Sequence, residues 1–132
     1  MSSGKTMSKA PAGSRVAVLG ASTKPDRFSF QAVRLLKQKG YQPIPVHPAG
    51  HFVDGVPGVK SLDEIKDPVD TLTMYVNSQI SDELKDQILN LNPRRVIFNP
   101  GAENKELAEA LKKAGIEIVE DCTLVMLGAG LY

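Results

Sequence analysis

The strongest constraint on the fold is a repeated alternation between short apolar runs and longer amphipathic segments. Five runs rich in apolar residues begin at Arg15: RVAVLG, YQPIPVHP, DTLTMYV, RRVIFN and IEIVED. Unbroken runs of this kind are typical of strands that are buried on both faces of a parallel sheet. Since right-handed crossovers then place helices on both faces, the sequence predicts an α/β fold. We expect a Rossmann-like three-layer domain with an open, mostly parallel sheet of about five strands.

Residue types at the ends of the amphipathic segments predict where the helices begin and end. Ser29 and Ser81 are predicted N-caps, because a side-chain oxygen at that position accepts a hydrogen bond from a free backbone N–H group. The stretch Ser61–Glu64 matches the Ser-x-x-Glu capping box. Gly40 stands where a C-terminal glycine is expected. After the fifth predicted strand, the pattern predicts only a short tail.

Length and composition indicate one folded domain. With 132 residues, of which 42% are hydrophobic, the chain is long enough for one packed core and too short for two. Residues 1–13 are small, polar and aperiodic, which predicts a flexible N-terminal leader before a domain over residues 14–132. The formal net charge is +1, so the molecule as a whole has no basic field for nucleic acid.

Cysteine content and hydropathy predict a cytoplasmic protein. Cys122 is the only cysteine, so no internal disulfide can form, which fits a reducing compartment. No apolar stretch approaches the ~20 residues that a membrane span needs, and the N-terminus lacks the apolar segment of a signal peptide. We therefore expect neither a membrane nor a nucleic acid as a partner.

The turn after the first predicted strand has the composition of a phosphate-binding turn. In open parallel sheets, ligands bind at the carboxyl ends of the strands, near the point where the strand order reverses. A glycine there allows close approach, small residues leave room, the free amides of the next helix attract an anion, and cations add charge. The residues with these roles are Gly20, Ala21, Ser22, Lys24 and Arg27, and Pro25 stiffens the connection. The alternative is that the glycine only turns the chain and the cations are solvated loop charges.

Two further strand ends are expected to face the same crevice. The second predicted strand ends in Val46, His47 and Pro48, and the third ends in Tyr75, Val76 and Asn77. Apolar groups at these ends suit the two faces of a flat ring such as adenine. NAD enzymes carry an acidic residue at the end of the second strand, where it holds the ribose hydroxyls. His47 occupies that place here, which disfavours NAD.

Three motifs follow one another along the chain: VAVLGASTKPDRFSFQAVRLLKQKGYQPIPVHP, SLDEI and AGIEIVEDC. Their sequences and their order resemble those of the small stand-alone coenzyme A-binding proteins. Those proteins are similar to the coenzyme A-binding domain of the succinyl-CoA synthetase alpha subunit. The resemblance extends from Ser14 to around Val125 and implies coenzyme A as the ligand. It implies no ligase activity, because the phosphorylated histidine of the synthetase lies on a separate domain for which this chain is too short.

The resemblance also implies roles for individual residues. The turn of Gly20, Ala21 and Ser22, with Pro25 and Arg27, would bind the phosphates of coenzyme A. The strand ends Val46–Pro48 and Tyr75–Asn77 would border the adenine and ribose. Pro100 and Gly101 would lie toward the pantetheine arm, and Cys122 would match a conserved cysteine of the family.

The chain departs from the family pattern at three positions. His47 replaces an asparagine, Asn77 lies where the family often has a basic residue that reaches the 3'-phosphate, and Asp121 replaces an arginine beside the cysteine. Cys122 is the one candidate for covalent chemistry, through a mixed disulfide with the thiol of coenzyme A. The alternative is a small, buried, unreactive side chain at a strand end.

No metal or nucleophile motif is found in the sequence. His47 and His51 lie in a Pro/Gly loop away from cysteine or acidic clusters, so we expect two solvent-facing histidines and no metal. The GAS tripeptide is not the nucleophile elbow G-x-S-x-G.

The sequence therefore favours a non-catalytic protein that binds coenzyme A or an acyl-CoA, with the nucleotide phosphates on the turn after the first strand. Two alternatives stay open: a small nucleotide- or acyl-CoA-dependent enzyme, and a protein-interaction module with a decayed nucleotide site. The apolar tail LVMLGAGLY leaves open a homo-oligomer or a complex with a partner protein.

Overall fold

The computed structural model describes residues 9–132, which form a five-stranded parallel sheet with helices on both faces. The strand order is β2-β1-β3-β4-β5, and every pair of neighbours is parallel. The elements are β1 (Arg15–Leu19), α1 (Phe28–Gln38), β2 (Gln42–Val46), a 3-10 helix (Leu62–Glu64), β3 (Thr71–Met74), α2 (Ser78–Glu83), α3 (Lys85–Leu91), β4 (Arg95–Phe98), α4 (Lys105–Lys113), β5 (Glu117–Glu120) and α5 (Thr123–Gly128). The predicted Rossmann-like fold and all five predicted strands are confirmed.

Successive residues of the strands supply two separate apolar cores. Ala17 and Leu19 on β1 face one core, which also contains the apolar residues of α3 and α4. Val16 and Val18 face the other, which contains those of α1 and α5. Because both faces of the sheet are covered, the inner strands carry continuous apolar runs rather than an alternating pattern.

The prolines of β2 are accommodated because β2 is an edge strand. Pro43 and Pro45 pair in regular register with Val16 and Val18 of β1. An inner strand pairs with a neighbouring strand on each side and needs the N–H groups that point to both. A proline has no N–H group, so it is tolerated in an edge strand, which has a neighbouring strand on one side only. The outer side of β2 is partly covered by Val59, whose N–H donates to the carbonyl of Pro45 at 2.9 Å.

Both predicted serine N-caps are wrong. Helix α1 begins at Phe28, and Ser29 lies inside its first turn, where its Oγ accepts the N–H of Ser22 at 3.0 Å. Helix α2 begins at Ser78, capped by Asn77, whose Oδ1 accepts the N–H of Ile80 at 3.0 Å. Ser81 is buried within that helix. In both cases the helix begins earlier than the serine, because the chain turns into it sooner after the strand.

The predicted capping box is wrong as well. Ser61 stands at the start of the 3-10 helix, but its side chain makes no capping bond. The Glu64 carboxylate accepts the N–H of Lys60 at 2.8 Å instead. The prediction for Gly40 is confirmed, since it follows α1 with φ of 90°.

The predicted short tail is a helix that belongs to the core. Helix α5 packs on α1 of the same chain, and Met126 and Leu127 are buried there. Tyr132 is also buried, and its main-chain oxygen accepts from the N–H of Ala10 at 2.9 Å and from Nη1 of Arg95 at 2.9 Å. The described part of the predicted leader is thus in contact with the domain at Ala10; its residues 1–8 lie outside the described residues.

None of the helices formed by residues 9–132 combines the length and the hydropathy that crossing a bilayer requires.

Candidate functional site

A cavity lined by Leu19, Val46, Tyr75 and Pro100, among others, lies at the carboxyl ends of the strands; we call it the main cavity. It encloses about 820 Å³ beside the point where β1 separates β2 from β3 in the sheet order. In an open parallel sheet, this is where the loops of neighbouring strands diverge and leave a crevice. Among the predicted site residues, the cavity brings together Gly20, Val46, His47, Pro48, Tyr75, Val76, Asn77, Pro100 and Gly101.

A second, more open pocket of about 520 Å³ contains the predicted cations; we call it the turn pocket. Gly20 and Tyr75 line both pockets, so the two are adjacent. The other residues that line the turn pocket are Ser22, Lys24, Asp26, Arg27, Phe28 and Ser29. The predicted phosphate turn and the predicted strand ends therefore meet at one glycine.

Gly20 has a conformation and a packing that only glycine fits without strain. Its φ is 89°, and a Cβ atom there would lie 2.9 Å from Cγ1 of Val76 and 3.2 Å from the carbonyl carbon of Tyr75. The turn after β1 thus passes directly against the end of β3. This close approach forms the wall that the two pockets share.

The backbone amides of the turn are largely bonded to other groups of the protein. The N–H groups of Gly20 and Ala21 both donate to the carbonyl of Val46, at 3.0 and 3.3 Å. The N–H of Lys24 donates to Oγ of Ser22 at 3.0 Å. The first-turn amides of the 11-residue helix α1 have no intrahelical partner and remain suited to an anion.

Lys24 and Arg27 provide the positive charge of the turn pocket. Both are exposed, and neither forms an ion pair within residues 9–132. Asp26 is the one carboxylate among the residues that line the turn pocket. The arrangement can attract an anion through two cations and a helix N-terminus.

His47 and His51 form a stacked pair at the edge of the main cavity. Their ring centroids are 4.3 Å apart with an interplanar angle of 28°, and His51 Nε2 lies 3.4 Å from the carbonyl oxygen of Ala21. Both histidines are partly exposed and partly covered by each other. Partial burial and the neighbouring His51 lower the pKa of His47. Residues 9–132 contain no group of three or more His, Cys, Asp or Glu side chains placed to hold a metal ion.

Tyr75 separates the two pockets with a neutral phenol. Burial raises its pKa to about 12; the hydroxyls of Thr123 and Thr73 oppose the shift, and the nearby thiol of Cys122 adds to it. Its oxygen is buried without a hydrogen-bond partner in the described chain. The hydroxyls of Thr73 and Thr123 bond to each other at 2.7 Å. The phenol therefore stays protonated across the physiological pH range.

Three predicted site residues lie outside both pockets. Ala21 is fully buried in the core beneath the turn, and Pro25 is exposed on the turn. Cys122 is half-buried at the N-cap of α5, where its N–H donates to Oδ1 of Asp121 at 2.7 Å. The thiol is close to Tyr75 but is not part of either pocket wall.

Sequence reasoning missed one whole wall of the main cavity. Ile80 and Glu83 of α2, Gln87 of α3 and Leu84 between the two helices line it, at the spacing of one helical face. The i, i+3, i+4, i+7 spacing of these four residues is visible in the sequence and is the signal that points to this wall. Lys60 and Ser61 also line the cavity, and no local pattern points to them.

Comparison with known proteins connects this geometry with a family. A family model described as "CoA binding domain" matches residues 14–128. The uncharacterized protein YneT of Bacillus subtilis is 31% identical over 107 residues, which are 81% of this chain and 79% of that protein.

Solved structures show the same architecture. A crystal structure of an uncharacterized protein matches with a TM-score of 0.87 and 41% identity, over 92% of this chain and all of that one (100%). A dinucleotide-forming acetyl-coenzyme A synthetase of Candidatus Korarchaeum cryptofilum matches with a TM-score of 0.70 and 20% identity. That match covers 83% of this chain and 26% of the synthetase, and it shows a shared fold.

Proposed function

The chain belongs to the CoA-binding domain family, and we propose that it binds coenzyme A or an acyl-CoA at the carboxyl edge of its sheet without catalysing a reaction. The observation that carries this proposal is the junction of the two pockets at Gly20. An apolar crevice on one side and a cationic turn on the other match a ligand with a flat base, charged phosphates and a long neutral arm.

The cationic turn supports the placement of the diphosphate. Lys24 and Arg27 have no competing carboxylate partner in residues 9–132, and the N-terminus of α1 adds a favourable dipole. The whole molecule carries a net charge of only +1, so a local site of this kind is what an anionic ligand requires.

The main cavity supports the placement of the rest of the ligand. Its volume of about 820 Å³ falls within the range of small-molecule and cofactor sites. Val46, His47 and Val76 provide flat and apolar contacts for the adenine. Pro100 and Gly101, after β4, lie at the other side of the cavity, where the pantetheine arm would leave the nucleotide.

The proposal of a non-catalytic role rests on the titratable groups beside the cavity. Tyr75 has a pKa of about 12 and is a poor general base at neutral pH. Cys122, the one thiol, lies outside both pocket walls. A single free cysteine also fits a reducing compartment, so the cytoplasm remains the proposed location.

Calorimetric titration with coenzyme A, acetyl-CoA, ATP and NAD tests the function. We expect coenzyme A and acetyl-CoA to bind with one site per chain, and NAD to bind more weakly because His47 stands where an acidic residue would hold its ribose. Absence of coenzyme A binding would contradict the proposal. Loss of acetyl-CoA faster than in buffer alone would contradict its non-catalytic part.

A further inference from the structure

Among residues 9–132, Lys60 is the only lysine or arginine that lines the main cavity. The cations of the turn pocket, Lys24 and Arg27, lie on the other side of Gly20. The other ionisable side chains in the cavity wall are His47, Glu83 and the neutral Tyr75. The cavity therefore has its own positive charge, separate from that of the turn.

The backbone around Lys60 is fixed beside the end of β2. Val59 donates its N–H to the carbonyl of Pro45 at 2.9 Å and accepts the N–H of His47 at 3.0 Å, which forms a short parallel bridge on the outer side of β2. The N–H of Lys60 donates to Oε1 of Glu64 at 2.8 Å. These bonds place Lys60 at the β2 side of the cavity, next to His47.

The side chain of Lys60 lies across Gly50. A Cβ atom at Gly50 would lie 2.8 Å from Cγ of Lys60 and 3.6 Å from its Cε, so the absence of a side chain at Gly50 makes room for the lysine stem. The amine forms no ion pair within residues 9–132, and Glu83 in the same cavity does not neutralise it. The charge is thus available to a ligand.

Coenzyme A carries an anionic group that the turn pocket does not account for. Two of its phosphoryl groups form the diphosphate, and the third is a monoester on the 3'-oxygen of the ribose, at the adenosine end. We propose that Lys60 binds this 3'-phosphate and makes the site selective for 3'-phosphorylated nucleotides; the inference rests on the proposed function. A lysine binds a phosphate monoester as a point charge, without a required bidentate geometry.

The test compares coenzyme A with dephospho-coenzyme A on the wild-type chain and on Lys60→Met. We expect the wild type to bind coenzyme A about tenfold more tightly, which is a difference of about 1.4 kcal/mol. Lys60→Met should remove that difference by weakening coenzyme A alone. Lys60→Arg should keep most of it. Lys66→Met is the matched control, because it removes the same charge from an exposed position outside the main cavity.

The outcomes separate this inference from the function on which it rests. If the wild type binds neither ligand, the proposed function fails, and the inference fails with it. If the wild type binds both ligands equally, or if Lys60→Met weakens both to the same extent, Lys60 does not read the 3'-phosphate, while coenzyme A binding stands. Equal loss of selectivity in Lys66→Met would show a general charge effect and would also overturn the inference.

Discussion

Replacing Gly20 with alanine tests the close approach that joins the two pockets. The φ of 89° places the residue where an L side chain is strained, which costs about 1–2 kcal/mol. The new Cβ would also lie 2.9 Å from Cγ1 of Val76 and 3.2 and 3.3 Å from the carbonyl carbon and oxygen of Tyr75. Overpacking of this kind costs about 1–3 kcal/mol, because two of the three contacts are backbone atoms that cannot rotate away.

The matched control is Gly115→Ala, at the end of α4. Its φ is 84°, but a Cβ there has no heavy atom within 4 Å, so it incurs only the conformational cost. Urea denaturation followed by circular dichroism gives the free energy of unfolding of both variants. We expect Gly20→Ala to lose about 1–3 kcal/mol more than Gly115→Ala. Equal losses in the two variants would refute the account of the turn against β3.

Three further predictions concern binding, capping and pH. Arg27→Ala should weaken coenzyme A binding, measured by calorimetry, by about 1.5–3 kcal/mol. Because the side chain is exposed, the free energy of unfolding in urea should not change. The control Lys39→Ala, at the other end of α1, should change neither quantity. Asn104→Ala should lower the free energy of unfolding, measured by urea denaturation, by about 2–3 kcal/mol, since this buried residue both caps α4 and donates to α2. Asn77 is an exposed cap, so Asn77→Ala should cost only about 0.5–1 kcal/mol. Because the pKa of His47 is lower in the folded chain, the unfolded chain binds more protons, so this residue's contribution to stability is complete above pH ~6.5 and is lost as the pH falls through its folded pKa. His47→Asn should therefore flatten the plot of unfolding free energy against pH in this range. An unchanged plot would contradict the assignment.

The sheet could be predicted from the sequence because its determinants are local. Runs such as RVAVL are buried on both faces, and their composition alone distinguishes them from half-exposed strands. The capping serines were not predictable in the same way. Asn77 and Ser81 are both good N-cap residues, and the choice between them depends on how soon the chain turns after β3.

The parts of the site that depend on long-range contacts could not be predicted. Lys60 enters the cavity because the loop after β2 returns and pairs through Val59 with the edge of the sheet, a contact that no periodicity reveals. The sequence predicts only a tail where helix α5 forms, because six residues carry too little pattern and so short a helix depends on packing, here on α1. The position of the turn at Gly20 is predictable because it depends only on where β1 ends.

The most direct test of the central claim is a titration of the ¹⁵N-labelled chain with coenzyme A, followed by the backbone amide resonances. We predict saturable shifts for Ser22, Arg27, His47 and Gly101, at the carboxyl ends of the strands. The resonances around Gly115, at the amino ends of the strands, should not change. Shifts confined to the residues around Gly115, or no shifts at saturating coenzyme A, would contradict the account.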